Sequence, residues 1–210
     1  QLVSAVQFAV NLPDLWQWIE AQVSDPAART RWLEVLGKLA AVIAAGLLAE
    51  WLIRRALKGP REAIERRGSE RLLVRIPFLL VRTVLDLLPI AAFAAASYGV
   101  LPLLEPSLLA RLTTLAIINA NVLVRVISVI ARMILAPAAP AIRIPHISNE
   151  TAHYLHIWVR RVASVTIYGY FLLEALRLVA MPFSAYVVLL KLLGLVVTGL
   201  LIVFVLQNRE

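Results

Sequence analysis

The sequence predicts an all-α fold, a polytopic membrane helical bundle with about five transmembrane helices. Three observations predict it. Hydrophobic residues make up 61% of the 210-residue chain and charged residues only 16%, against roughly 45–50% and about 25% in soluble domains. That leaves too few polar side chains to cover a compact sphere, so lipid must do part of the covering. Apolar runs of bilayer-crossing length recur along the chain. The basic residues gather in a few stretches between those runs, as the positive-inside rule requires. This placement accounts for the net charge of +8 without nucleic acid as a partner.

The first segment, residues 1–31, is predicted to be periplasmic or interfacial. Its apolar run Leu2–Val10 falls short of the roughly 20 residues a crossing needs and ends at Asn11, Pro13 and Asp14. Trp16, Trp18 and Ile19 suit a helix lying in the interface. Ser24-Asp25-Pro26 has the form of a helix start, a cap residue before an early proline. The chain opens on Gln1, as expected of a processed protein or an excised segment.

Residues 32–135 hold the first three spans. Leu33–Leu52 is bracketed by Trp32 and Trp51, which are 19 residues apart. At about 1.5 Å per residue that is roughly 28 Å, close to the hydrocarbon thickness, so the two act as interfacial anchors. Small residues along the run, among them Ala41, Ala45, Gly46 and Ala49, permit close helix approach. Lys38 and Glu50 lie near opposite ends, where long side chains snorkel.

The connector 54–75 is the most polar stretch of the sequence. It holds Arg54, Arg55, Lys58, Arg61, Arg66, Arg67, Arg71 and Arg75 against three Glu, a net +5. Gly59-Pro60 ends the first span, and Pro60 suits the first turn of a short surface helix. This connector is expected on the cytoplasmic side, against anionic headgroups.

The second span, Pro77–Tyr98, carries Arg82 and Asp86 on one face and Pro89 in mid-span as a kink. The link Gly99–Ser107 has no Lys or Arg, which fits the periplasmic side. The third span is Leu108–Leu135, with Asn119, Asn121 and Arg125 inside it. Residues 136–150 form a Pro-rich cytoplasmic connector. Three prolines within nine residues give an extended, stiff strand of chain there, and Ser148-Asn149-Glu150 then starts a helix.

Residues 151–207 form a transmembrane hairpin. Its first arm, His153–Ala180, is marked at the cytoplasmic end by the interfacial anchor Trp158 and the headgroup-facing Arg160 and Arg161. After Met181-Pro182, the second arm Phe183–Leu206 is the most apolar run and has one charge, Lys191. The basic stretches at 54–75 and 132–161 belong on one side and the links at 99–107 and 181–183 on the other. The N-terminus is therefore predicted to be periplasmic and the C-terminus cytoplasmic. The 18 Arg against 3 Lys, with abundant Ala, Leu and Val, fit a GC-rich bacterium and its inner membrane.

Little in the sequence suggests catalysis. There is no Cys, hence no disulfide or thiolate site. His146, His153 and His156 lack a third ligand at usual spacing and a His-Glu-x-x-His pattern. Nucleophile elbow, P-loop and dinucleotide fingerprints are absent. No enzyme activity, metal or cofactor is expected.

Charges inside spans cost roughly 2.5–3.5 kcal/mol each on insertion scales, so they should face protein or water. Depth suggests that Asp86 pairs with Arg82 on its own helix or with Arg125 across helices. Glu174, 6 residues before Ala180, and Lys191, 8 residues after Phe183, lie at similar depth on the antiparallel hairpin. Isolated pairs favour structural pairing that sets helix register over an ion or proton path.

From about Ala131 to Arg209 the chain shows a series of distinctive motifs. These are Ala136-Pro137-Ala138-Ala139-Pro140, Ile147-Ser148-Asn149-Glu150-Thr151-Ala152-His153-Tyr154-Leu155, Trp158-Val159-Arg160-Arg161, Tyr168-Gly169-Tyr170-Phe171-Leu172-Leu173-Glu174-Ala175, Leu189-Leu190-Lys191-Leu192-Leu193-Gly194 and Leu206-Gln207-Asn208-Arg209. This stretch resembles the extra membrane helices that precede the pore module in large bacterial members of the MscS mechanosensitive channel family. Earlier spans agree in general character. The resemblance implies a homo-oligomer, a heptamer, that opens under membrane tension during hypo-osmotic shock. In it these helices form lipid-facing paddles around a pore, and the pore and cytoplasmic domains lie outside this chain. The competing expectations are a secondary transporter half, which would favour an inverted repeat that is not seen, and a membrane-embedded assembly subunit without channel activity.

Overall fold

A computed structural model describes residues 2–59, 72–135, 149–179 and 181–207. Among the described residues there are six helices and no strand: α1 (Leu2–Ser24), α2 (Pro26–Ala56), α3 (Leu72–Leu103), α4 (Leu108–Leu135), α5 (Asn149–Leu178) and α6 (Phe183–Gln207). Four stretches are long and apolar enough to cross a membrane: α2, residues Thr83–Leu103 of α3, α4 and α6. α5 has the length but falls outside that group. Arg160 and Arg161 on one side and Glu174 and Arg177 on the other leave only residues 162–173 uncharged between them.

Helix ends follow local chemistry. The Asp25 carboxylate accepts a hydrogen bond from the Ala27 N–H at 2.9 Å, and Pro26 takes the first helical position, where no N–H is required. α1 continues through Pro13 as one helix, longer than its short apolar run suggests. α3 extends to Leu103 and shortens the predicted link 99–107 to residues 104–107. Glu105 turns the chain there with φ 43°, the left-handed region that costs a residue bearing Cβ roughly 1–2 kcal/mol. Lys38 Nζ donates to the Glu105 carbonyl at 3.0 Å and to Glu34 at 2.8 Å, and Glu34 also accepts from the Ser107 N–H at 3.2 Å. Lys38 therefore ties α2 to the turn instead of reaching for headgroups.

The main core lies among α2, α3 and α4. Val42, Phe93, Leu101 and Ile118 form its buried cluster. α2 and α3 close on each other at Gly46, where an added Cβ would come within 2.7 Å of the buried Phe93 ring and 2.3 Å of Ser97 Oγ. α4 shares its most extensive interface with α5. A second cluster, Leu173, Met181, Ala185 and Tyr186, joins the α5–α6 hairpin, and Leu15 and Trp18 of α1 pack on it. Ser184 Oγ donates to Asp14 at 2.6 Å and fixes α1 there. Trp18 is thus partly withdrawn from the interface predicted for it, whereas Trp16 stays exposed.

Candidate functional site

The polar residues of α4 recur on one face. Thr114, Asn121, Arg125, Ser128 and Arg132, with Ile118 among them, are spaced four, three, four, three and four apart, which keeps them on one stripe of a helix. That stripe is buried at its start, where Thr114 and Ile118 are fully covered, and opens outward at the exposed Arg132. It delivers Arg125 and Arg132 to the same end of the bundle, where α2, α3 and α5 bring further charges.

Arg125 pairs with Glu50 of α2, a buried carboxylate, and its guanidinium lies 4.8 Å from the centre of the Phe93 ring. Glu50 also takes Arg54 at 2.5 Å. Asp86, on α3, lies 3.8 Å from Arg132. The expected Asp86–Arg125 pair is therefore corrected: Arg125 goes to Glu50. The physical reason is register, since Glu50 enters the same layer from α2 with both oxygens turned inward, one for each Arg. The alternative pairing of Asp86 with Arg82 rests on a side chain outside the described residues.

These groups surround a polar cavity of about 390 Å³ whose walls include Arg54, Asp86, Arg125, Arg132 and Arg160, with Ser128, Ser164 and Tyr168. Pro89 and Ile90 close its apolar side. Pro89 is fully buried within a continuous helix. Arg160 makes no hydrogen bond or ion pair with another described residue, and neither do Ser164 and Tyr168. A smaller charge system sits in the hairpin. Glu174 accepts from Tyr186 Oη at 2.8 Å and lies 3.7 Å from Arg177, which also covers the Tyr186 ring at 4.9 Å. Lys191 is exposed and has no partner among the described residues. The expected Glu174–Lys191 pair is replaced by these contacts, because Arg177 lies one turn along α5 from Glu174 and Tyr186 reaches across the hairpin from the first turn of α6.

The anchors behave differently from one another. Trp51 is exposed, with Arg55 over its ring at 5.5 Å, beside Arg54 and Lys58 in a basic recess of about 430 Å³. Trp32 donates from Nε1 to Gln22 at 3.1 Å and joins α2 to α1. Trp158 is buried and does not face outward. It packs on Phe204 at 5.6 Å and Tyr154 at 6.1 Å, with Arg161 over its outer face at 5.6 Å. The positions Arg61, Arg66, Arg67 and Arg71 lie outside the described residues, as do the side chains of Arg75 and Arg82, the Pro-rich stretch 136–148 and Ala180.

Two participants went unrecognised in the sequence: Glu50 as the partner of Arg125, and Arg132 as a wall of the cavity. For Arg132 the signal was the alternating three-and-four spacing of polar residues in the third span; nothing in the sequence singled out Glu50 for this pairing. No protein family, curated protein or solved structure matches the chain.

Proposed function

We propose that this chain is the peripheral, tension-sensing membrane region of a mechanosensitive channel, acting in a homo-oligomer in a bacterial inner membrane. One observation carries the reading. α6 is the most apolar helix, yet its buried residues are confined to Ala185, Tyr186 and Val188 near its start, and apart from the contacts of Leu193 and Phe204 with α5 most of its remaining length is exposed. A helix so little held by its own chain couples to the bilayer more than to the protein. Tension favours whichever state occupies more in-plane area, and such an arm shifts the balance by the difference in its lipid contacts between states. The MscS resemblance over the last 80 or so residues supports the same reading and implies seven subunits. The basic end, with Arg54, Arg55 and Arg160, would face the cytoplasm against anionic lipid. No catalytic step belongs to this role.

The test is suction on membrane patches containing the full-length gene product. Single-channel currents that appear below the lytic tension, at a threshold moved by truncation of α6, are expected. Silent patches up to lysis would overturn the reading. The polar cavity favours a second reading, a transporter half. Against it, Glu174 and Lys191 do not join Asp86 and Arg125 along one path, since α6 packs chiefly on α5 and α1. Substrate uptake without suction-evoked currents would select the transporter.

A further inference from the structure

The cavity between α2, α3, α4 and α5 unites residues that the sequence treated as two unrelated sets. Asp86 and Arg125 had the look of an intramembrane pair, and Arg54 and Arg160 of surface contacts. In the fold all four, with Arg132, line one space of about 390 Å³. Its balance of charge is uneven. Among the described residues, four guanidinium groups from three helices meet Asp86 in the wall and Glu50 behind Arg54 and Arg125, which leaves a surplus of two positive charges. Arg54, Arg132 and Arg160 are exposed and Arg125 reaches inward, so the space opens outward and an anion entering it meets several cations at once. Arg160 makes no ion pair with a described residue, and Ser164 and Tyr168, one and two turns further along the same face of α5, line the same space.

We propose that this cavity is a binding site for a phosphate group, carried by an anionic phospholipid or by a soluble phosphate. Guanidinium forks match phosphate oxygens in pairs, and four of them exceed what Glu50 and Asp86 satisfy, since Arg160 is left over. The neighbouring surface favours the lipid. Arg54 also lines the basic recess with Trp51, Arg55 and Lys58, so the site adjoins an aromatic and basic rim of the kind that lies at headgroup level. Basic pockets between membrane helices hold headgroups in this way. The site is independent of the channel reading and stands whether or not the protein conducts.

The experiment uses the full chain purified in a neutral detergent. Native mass spectrometry and thermal unfolding are recorded with phosphatidylglycerol, phosphatidylcholine and inorganic phosphate added separately. Phosphatidylglycerol is expected to stay bound and to raise the unfolding temperature where phosphatidylcholine does not. Arg160→Gln should weaken that binding roughly tenfold, the effect of one charge-assisted contact, and Arg160→Lys, which keeps the charge but not the fork, should restore only part of it. Ser164→Leu fills the cavity without changing charge and should also release the lipid. Protection by inorganic phosphate with no preference for phosphatidylglycerol assigns the site to a soluble phosphate. The proposal is overturned if neither ligand distinguishes the native protein from Arg160→Gln. It is equally overturned if Ser164→Leu binds phosphatidylglycerol unchanged, since the lipid would then sit on the surface and not in the cavity.

Discussion

Two glycines seat two helix crossings, and their surroundings differ. At Gly46, α2 meets the face of Phe93 and the hydroxyl of Ser97, both fully buried in the core. At Gly169, α5 meets α6 through the tip of Leu193, 2.4 Å from where a Cβ would stand. The aromatic ring is hemmed in on every side and has nowhere to go. A half-buried leucine end can turn to another rotamer. The same contrast runs through the two regions: α2, α3 and α4 share a closed apolar cluster with an ion pair set beside it, whereas the hairpin arm α6 is held near its start and by an aromatic group, Tyr154, Trp158 and Phe204, near its end. Apolar residues alone do not say which region packs and which faces lipid. Buried polar groups do, because only protein can satisfy them.

Glu50→Ala breaks this comparison most severely. It strands Arg125 next to the core, and losing one member of a buried pair costs about 3–5 kcal/mol. Unfolding of the detergent-purified protein should show it, and a loss below about 1 kcal/mol would mean the pair is wet. Next in size is Gly46→Leu, at roughly 1–3 kcal/mol from overpacking against the Phe93 ring. Gly169→Leu should cost clearly less than Gly46→Leu; equal losses would show that the hairpin crossing is as rigid as the core. Tyr186→Phe removes the hydroxyl that Glu174 accepts and should cost about 0.5–1.5 kcal/mol. The smallest effect concerns Lys191. Reversing charges singly and together at Glu174 and Lys191 should give additive changes to within about 0.5 kcal/mol, whereas rescue by the double swap would restore the pairing that the fold leaves out.

Helix positions were legible because they depend on nearest neighbours in the chain. Asp25-Pro26 fixed the start of α2, and Leu108–Leu135 appears with the ends its apolar run implied. The partners of the charges were not legible. Depth along a span narrows the choice to a layer, but azimuth around the helix decides who meets whom, and that depends on how neighbouring helices rotate. Glu50 was read as a snorkelling side chain near the end of its span, whereas in the fold it is buried and turned to Arg125. Trp158 misled for a similar reason. Next to Arg160 and Arg161 an aromatic residue fits a headgroup anchor, but its face of α5 meets Phe204 of α6. Pro89 lies within an unbroken helix, and its ring contributes to the cavity wall as well as removing a backbone donor.

The turn between α3 and α4 is fastened twice, through the Glu105 carbonyl and the Ser107 amide, to neighbouring side chains on α2. Three helices are therefore pinned together at one extremity of the molecule, and sliding there would release a cation and a carboxylate at once. Any rigid tilt has its pivot at that fastening. α4 is 28 residues long, about 42 Å at roughly 1.5 Å of rise per residue. A rotation of about 5° at the pivot then swings the arginine-bearing extremity sideways by about 4 Å on the same rise, so a small reorientation at one end of the helix becomes a displacement of atomic size at the other.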